Sequence, residues 1–169
     1  MPILDCIFVT TGRHPEAEAL ICKATGSIYS HAATRFEVEG EKIIVEAVRP
    51  AVRVVTGDFF DDCETIQIIS LPITEEQRRA VVKRALELVG KAYGIDDCLI
   101  AGANDVFGGR IAEILDCMNN DDTYNCSGAQ TEIIRAAFPK YAQGVNSSRI
   151  TPEKARLMVL ELTKGLEVS

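Results

Sequence analysis

Hydrophobic and polar positions along this chain follow two periods, and the first is the shorter. Ile3 to Val9 is an apolar run that reads as a strand, and Thr10-Thr11-Gly12-Arg13 turns out of it. Tyr29 to Val38 reads as a second strand, with Tyr29, His31, Ala33 and Arg35 on one face because side chains alternate. Glu39-Gly40 makes a turn into a third strand, Lys42 to Val48, and the two runs pair as a hairpin. Pro50 separates this hairpin from Val52 to Thr56. The acidic loop Gly57 to Asp62 follows, and then a strand from Glu64 to Leu71.

Helical spacing interrupts the strands once and then takes over. His14 to Ala24 places Ala17, Leu20, Ile21 and Ala24 on one face, with Pro15 in the first turn and Gly26-Ser27 at the end. Thr74 and Gln77 fit a capping box that opens a helix carrying the stripe Ala80, Val81, Ala85, Leu88 and Val89, and Gly90 ends it. Lys91 to Gly109 is loop-rich, and Ile111 to Met118 reads as a helix. Ala129, Ile133, Ile134, Ala137 and Phe138 form one buried face of the helix behind Cys126. Pro139 to Ser148 is loop. Thr151 caps a last helix, with Pro152 at its first position, running to about Thr163. Strands and helices are segregated, so the expected class is α+β with a mainly antiparallel sheet packed against helices.

Composition narrows the function classes. The 169 residues suit one domain spanning residues 1–169. A net charge of −7, with no basic cluster, argues against nucleic acid and anionic membrane surfaces as main partners. No segment has the length and apolarity of a membrane span or anchor, and Met1-Pro2-Ile3-Leu4-Asp5 lacks the basic and apolar regions of a secretion signal. A cytoplasmic protein is expected. Cysteines stand at 6, 22, 63, 98, 117 and 126, with no Cys-x-x-Cys pair and only two histidines in the chain. No metal site and no cofactor are expected, and the thiols read as reduced.

Candidate chemistry centres on Tyr124-Asn125-Cys126-Ser127-Gly128-Ala129-Gln130, which joins a polar run to the start of a buried helix. Free N–H groups and the positive end of the helix dipole favour an anion there, so a thiol at that place ionises more readily. The bland alternative for Cys126 is a small buried residue, the common fate of a free cysteine. Catalytic thiol chemistry also needs a base and a group that orients it. His31, held in a strand, is the better base, whereas His14 beside Pro15 reads as a solvated or capping residue. The alternative for His31 is a satisfied core imidazole. Glu46 is the charged residue of an otherwise apolar strand and fits the orienting role, unless it points to water.

These residues carry a resemblance. Asn125-Cys126-Ser127-Gly128 is similar to the Asp-Cys-Ser-Gly signature of NlpC-type cysteine peptidases, which are papain-like, and Gly90-Lys91-Ala92-Tyr93-Gly94 resembles the Gly-x-x-Tyr stretch before that cysteine. Both histidines precede Cys126, so the match is to the circularly permuted branch, the YiiX/YebB-like proteins related to the lecithin retinol acyltransferase group. Leu4 to Thr10, Ser27-Ile28-Tyr29-Ser30-His31-Ala32, Val45-Glu46-Ala47 and the late cysteine helix appear in that branch's order.

The resemblance implies a papain-like fold with Cys126 as nucleophile, His31 as base and Glu46 as orienting residue. It implies Tyr93, Tyr124 and Ser127 at the oxyanion or substrate pocket. It implies a thiol hydrolase that cleaves an amide bond in a cell-wall or other small peptide, without a cofactor. The rival activities are acyl transfer or hydrolysis on lipid esters, and a binding module that takes a peptide or partner without catalysis. The sequence leaves the oligomeric state open.

Overall fold

The computed structural model describes residues 1–63, 65–94 and 123–167. The expected helix from Ile111 to Met118, the Gly-rich stretch 95–109, the polar run up to Asp122, and Cys98 and Cys117 lie outside the described residues.

Seven strands form one sheet: β1 (Ile3–Thr10), β2 (His31–Val38), β3 (Glu41–Val48), β4 (Ala51–Thr56), β5 (Thr65–Pro72), β6 (Ala92–Tyr93) and β7 (Thr123–Tyr124). Their order is β5-β1-β2-β3-β4-β6-β7, and every neighbouring pair is antiparallel except β6 with β7. Four α-helices are present among the described residues: α1 (Pro15–Thr25), α2 (Glu75–Leu88), α3 (Cys126–Ala137) and α4 (Pro152–Glu167). The class is therefore α+β with a mainly antiparallel sheet.

β1 lies between β2 and β5 and is buried on both faces, which is why it reads as a continuous apolar run instead of an alternating one. Leu4, Cys6 and Phe8 enter the main core, while Ile7 and Val9 enter a second, smaller cluster on the opposite face with Ala33, Ile44 and Phe60. Helices α2, α3 and α4 cover the main face through residues such as Val81, Ile133 and Val159. The loop after β4 covers the other face by inserting Phe60. β2 and β3 form the expected hairpin around Glu39 and Gly40, whose φ angles of 53° and 87° suit a two-residue turn that matches strand twist. The capping box on α2 also forms: Gln77 N–H donates to Thr74 Oγ1, and Thr74 N–H donates to Gln77 Oε1 at 2.8 Å.

Two local expectations fail. On α1 the apolar stripe does not face the core: Ala17 and Leu20 are exposed, and Ile21 is half-buried. The buried residue is Glu18, which accepts hydrogen bonds from Thr11 Oγ1 and from the N–H groups of Gly12 and His14. The loop entering α1 needs acceptors for these donors, and that need outweighs the apolar periodicity. The second failure is at Lys91 to Gly94, read as loop. Two residues there form β6, which extends the sheet from β4 and pairs in parallel with β7. Strands this short carry no readable period.

α3 has Ile133 and Ile134 fully buried in the main core. Gln130 is equally buried, and its Nε2 donates to the carbonyls of Ala33 at 2.6 Å and Ile7 at 3.3 Å, tying helix to sheet. Removing core methyl groups here leaves a void that rigid neighbours cannot fill. Ile133→Ala is expected to cost about 2–5 kcal/mol of unfolding free energy in a urea titration, with an unchanged m-value.

Candidate active site

The start of α3 is fixed from three directions. Asn125, 2% exposed, caps the helix by accepting the Gly128 N–H at 2.6 Å, while its Nδ2 donates to the Ser148 carbonyl at 2.8 Å. The Asn amide supplies the acceptor and the donor together, whereas an ionised Asp could only accept. That accounts for Asn rather than Asp at position 125, and it also spares the neighbouring thiol a negative charge. Gly128 lies under the same loop: a Cβ there would stand 2.9 Å from the Ser147 carbonyl oxygen. Arg135, one face further along α3, holds that loop by donating to the carbonyls of Tyr141, Ala142 and Val145.

Cys126 is the first residue of α3 and is 5% exposed. Its own N–H and that of Ser127 have no partner within the helix. His31 opens β2, so its ring stands at the end of the strand, close enough to the Cys126 thiol for each group to shift the other's titration. The other side of the imidazole faces Glu46: Nε2 lies 2.7 Å from Glu46 Oε2. Nδ1 is therefore the nitrogen left for the thiol. Glu46 sits on β3 opposite Ala33, one pleat from His31 and on the same face. The Phe60 ring packs against the imidazole, with centroids 5.9 Å apart. The structure thus brings Cys126, His31 and Glu46 together, with His31 between the thiol and the carboxylate.

Charge is distributed along that line. Burial pushes the Cys126 thiol up, but the His31 bond and charge, the Ala32 N–H and the Ser127 hydroxyl together outweigh it and leave the thiol below its ordinary value. Burial pushes His31 down, and its bonds to Cys126 and Glu46 more than reverse that. Burial likewise opposes the Glu46 charge, and His31 and Arg53 overcome it. These directions favour charge on all three groups, with the Arg53 guanidinium closing the line behind Glu46. Cys6 is the contrast: it lies in the core, and burial, with the Asp5 charge beside it, pushes its thiol far up.

Sequence reasoning missed Arg53. It stands directly across from Glu46 on β4 and grips Oε1 with Nε at 2.9 Å and Nη2 at 2.7 Å. The cross-strand register was the signal that could have found it. Ser30 was missed as a site residue too. Its buried hydroxyl has no partner among the described residues, and it lines both cavities at the site. One of these, of about 30 Å³, adjoins Cys126, Asn125 and Ser127. The other, of about 540 Å³, is a groove along His31, Glu46 and Tyr93. Ser127 is fully buried with Oγ 3.9 Å from the Cys126 sulfur. Tyr93 lines the groove, whereas Tyr124 packs against the main core in the field of Arg84 and lines neither cavity. His14 is exposed at the groove rim, and Cys22 and Cys63 are free, half-buried thiols outside the line of three. Among the described residues no cluster could hold a metal ion, and no helix is long and apolar enough to cross a membrane.

No protein-family model matches this chain, and no curated protein is similar to it at a significant level. The chemistry is read from the geometry.

The depressed thiol should be visible directly. In alkylation followed residue by residue by mass spectrometry, Cys126 is expected to reach half its maximal rate below the ordinary thiol value of about 8.5. His31→Ala is expected to move that midpoint up. Asn125→Asp is expected to move it up as well, by setting a carboxylate beside the sulfur. Acid stability follows from the carboxylates. Glu46 and Glu132, the latter paired with Arg84 at 2.9 Å and Arg135 at 2.7 Å, both ionise more readily folded than unfolded, their bonds outweighing burial. Their contribution is complete above the unfolded value of about 4.3 and is lost as pH falls through the lower folded values. The thermal midpoint is expected to fall progressively as pH drops below about 4.5.

Proposed function

We propose that this chain is a thiol hydrolase that cleaves an amide bond in a peptide-sized substrate, with the papain-like arrangement of the permuted NlpC-type family that its motifs resemble. One observation carries the reading: a cysteine at a buried helix start, electrostatically linked to a histidine that a carboxylate holds by Nε2 at 2.7 Å. A structural cysteine needs neither the imidazole nor the carboxylate behind it.

The chemistry balances in two halves. The Cys126 thiolate adds to the carbonyl carbon, and the carbonyl π pair moves onto oxygen, toward the Cys126 N–H at the helix start. The His31 imidazolium gives its Nδ1 proton to the leaving nitrogen, the C–N bond breaks, and an amine departs from a thioester. Water then adds to the thioester while Nδ1 takes its proton. The C–S bond breaks, and a carboxylic acid and the thiolate–imidazolium pair are restored. Glu46 holds the ring orientation and stabilises its positive charge in each half, and Arg53 holds Glu46.

The rival substrates differ in their acyl group and leaving atom, so a matched panel separates them. Short peptide amides are expected to be hydrolysed by the wild-type chain and not by Cys126→Ala, with lipid esters turned over far more slowly. The opposite preference would favour the acyltransferase-like reading. Silence on both, with an unreactive Cys126, would favour a binding module. Glu46→Gln is expected to lower kcat/KM by about 100-fold or more, because the amide no longer fixes the imidazolium. Arg53→Gln is expected to act in the same direction by a smaller factor.

A further inference from the structure

The groove along His31 carries a charge opposite to that of the chain. The whole chain bears a net charge of −7. Yet both carboxylates that line the groove are buried and engaged: Glu18 by Thr11, Gly12 and His14, and Glu46 by His31 and Arg53. The exposed charges lining it are guanidinium groups. Arg53 turns half of its side chain to solvent while gripping Glu46. Arg13 stacks on Phe59 with 4.0 Å from its guanidinium carbon to the ring centroid, and it has Asp62 at 3.5 Å outside the groove. Arg49 is exposed, lines the groove and has no hydrogen bond or ion pair among the described residues. Phe59, Phe60 and Tyr93 supply apolar wall on which the field is little screened. A cleft lined by one sign of charge with low-dielectric walls concentrates ligands of the other sign.

We propose that this groove selects a substrate bearing a carboxylate near the bond that is cleaved, and that Arg49 is the residue that binds it. The inference rests on the thiol-hydrolase reading. It assigns Arg49 a role in specificity, separate from the positioning role of Arg53: Arg53 already commits Nε and Nη2 to Glu46, whereas the whole Arg49 fork is open to a planar anion.

Iodoacetate and iodoacetamide test this without knowledge of the natural substrate. Each alkylates by the same displacement, in which the sulfur forms a C–S bond and iodide leaves with the C–I pair. They differ in the carboxylate. The quantity read is the ratio of the iodoacetate to the iodoacetamide rate at Cys126, divided by the same ratio for free glutathione. That quotient cancels changes in thiolate fraction. It is expected to exceed unity by about tenfold at low salt. It is expected to fall about threefold or more in Arg49→Gln and on raising salt, and to be retained in Arg49→Lys, which separates the Arg49 charge from that of His31. Brisk reaction with iodoacetamide but a quotient near unity, or one equal in wild type and Arg49→Gln, would overturn the carboxylate selectivity and leave the hydrolase reading standing. A Cys126 that reacts with neither reagent faster than glutathione does would overturn the hydrolase reading and this inference with it.

Discussion

Glu46 is a charge taken almost wholly out of water in the middle of a sheet, and much around it follows from the cost of putting it there. An ion so placed must be matched on both oxygens or it neutralises. Here one oxygen takes the imidazole of His31 from the strand on one side, and the other takes the guanidinium of Arg53 from the strand on the opposite side. The carboxylate thus spans three strands, and the register of β2, β3 and β4 is also a registration of charges. By favouring the charged imidazole, the carboxylate also favours ionisation of the Cys126 thiol. Glu46 therefore influences the sulfur through the ring, without touching it.

The helix side of the site solves a different problem. Placing a helix start in a buried position leaves N–H groups that need acceptors. Asn125 answers one of them, Ser147 and Ser148 come over the first turn, and Gly128 is small enough to let that loop pass. Gln130 then anchors the next turn to the backbone of β1 and β2. With helix and sheet tied at that point, the distance between sulfur and imidazole is set by backbone elements and not by flexible side chains. Precision of this kind suits the roles proposed for Cys126 and His31.

Legibility from sequence tracked how local each feature is. The Glu39-Gly40 hairpin, the Thr74 capping box and the buried face of α3 are written within a few residues and could be read directly. Cys126 at a helix start was legible for the same reason. The α1 face was not, because its orientation depends on which donors the preceding loop leaves unsatisfied, and Glu18 is drawn in to meet them. Arg53 was not, because its partner is fixed by strand register and not by spacing along the chain. Neither were β6 and β7, each two residues long and recognisable only by what lies beside them.

The same distinction bears on function. The triad positions sit on different elements, 15 residues apart for His31 and Glu46 and far down the chain for Cys126, so sequence could propose them only as a set. Their convergence in space is what supports reading three ordinary residue types as one site. The groove charge is more remote still from composition. A chain rich in Asp and Glu reads as repelling anions, but its carboxylates count only where they face solvent. Along His31 the two acidic residues are turned inward and satisfied, and the arginines are turned outward. Net charge governs how such a protein behaves at a distance. What enters the site is governed by the few charges left unpaired at its mouth.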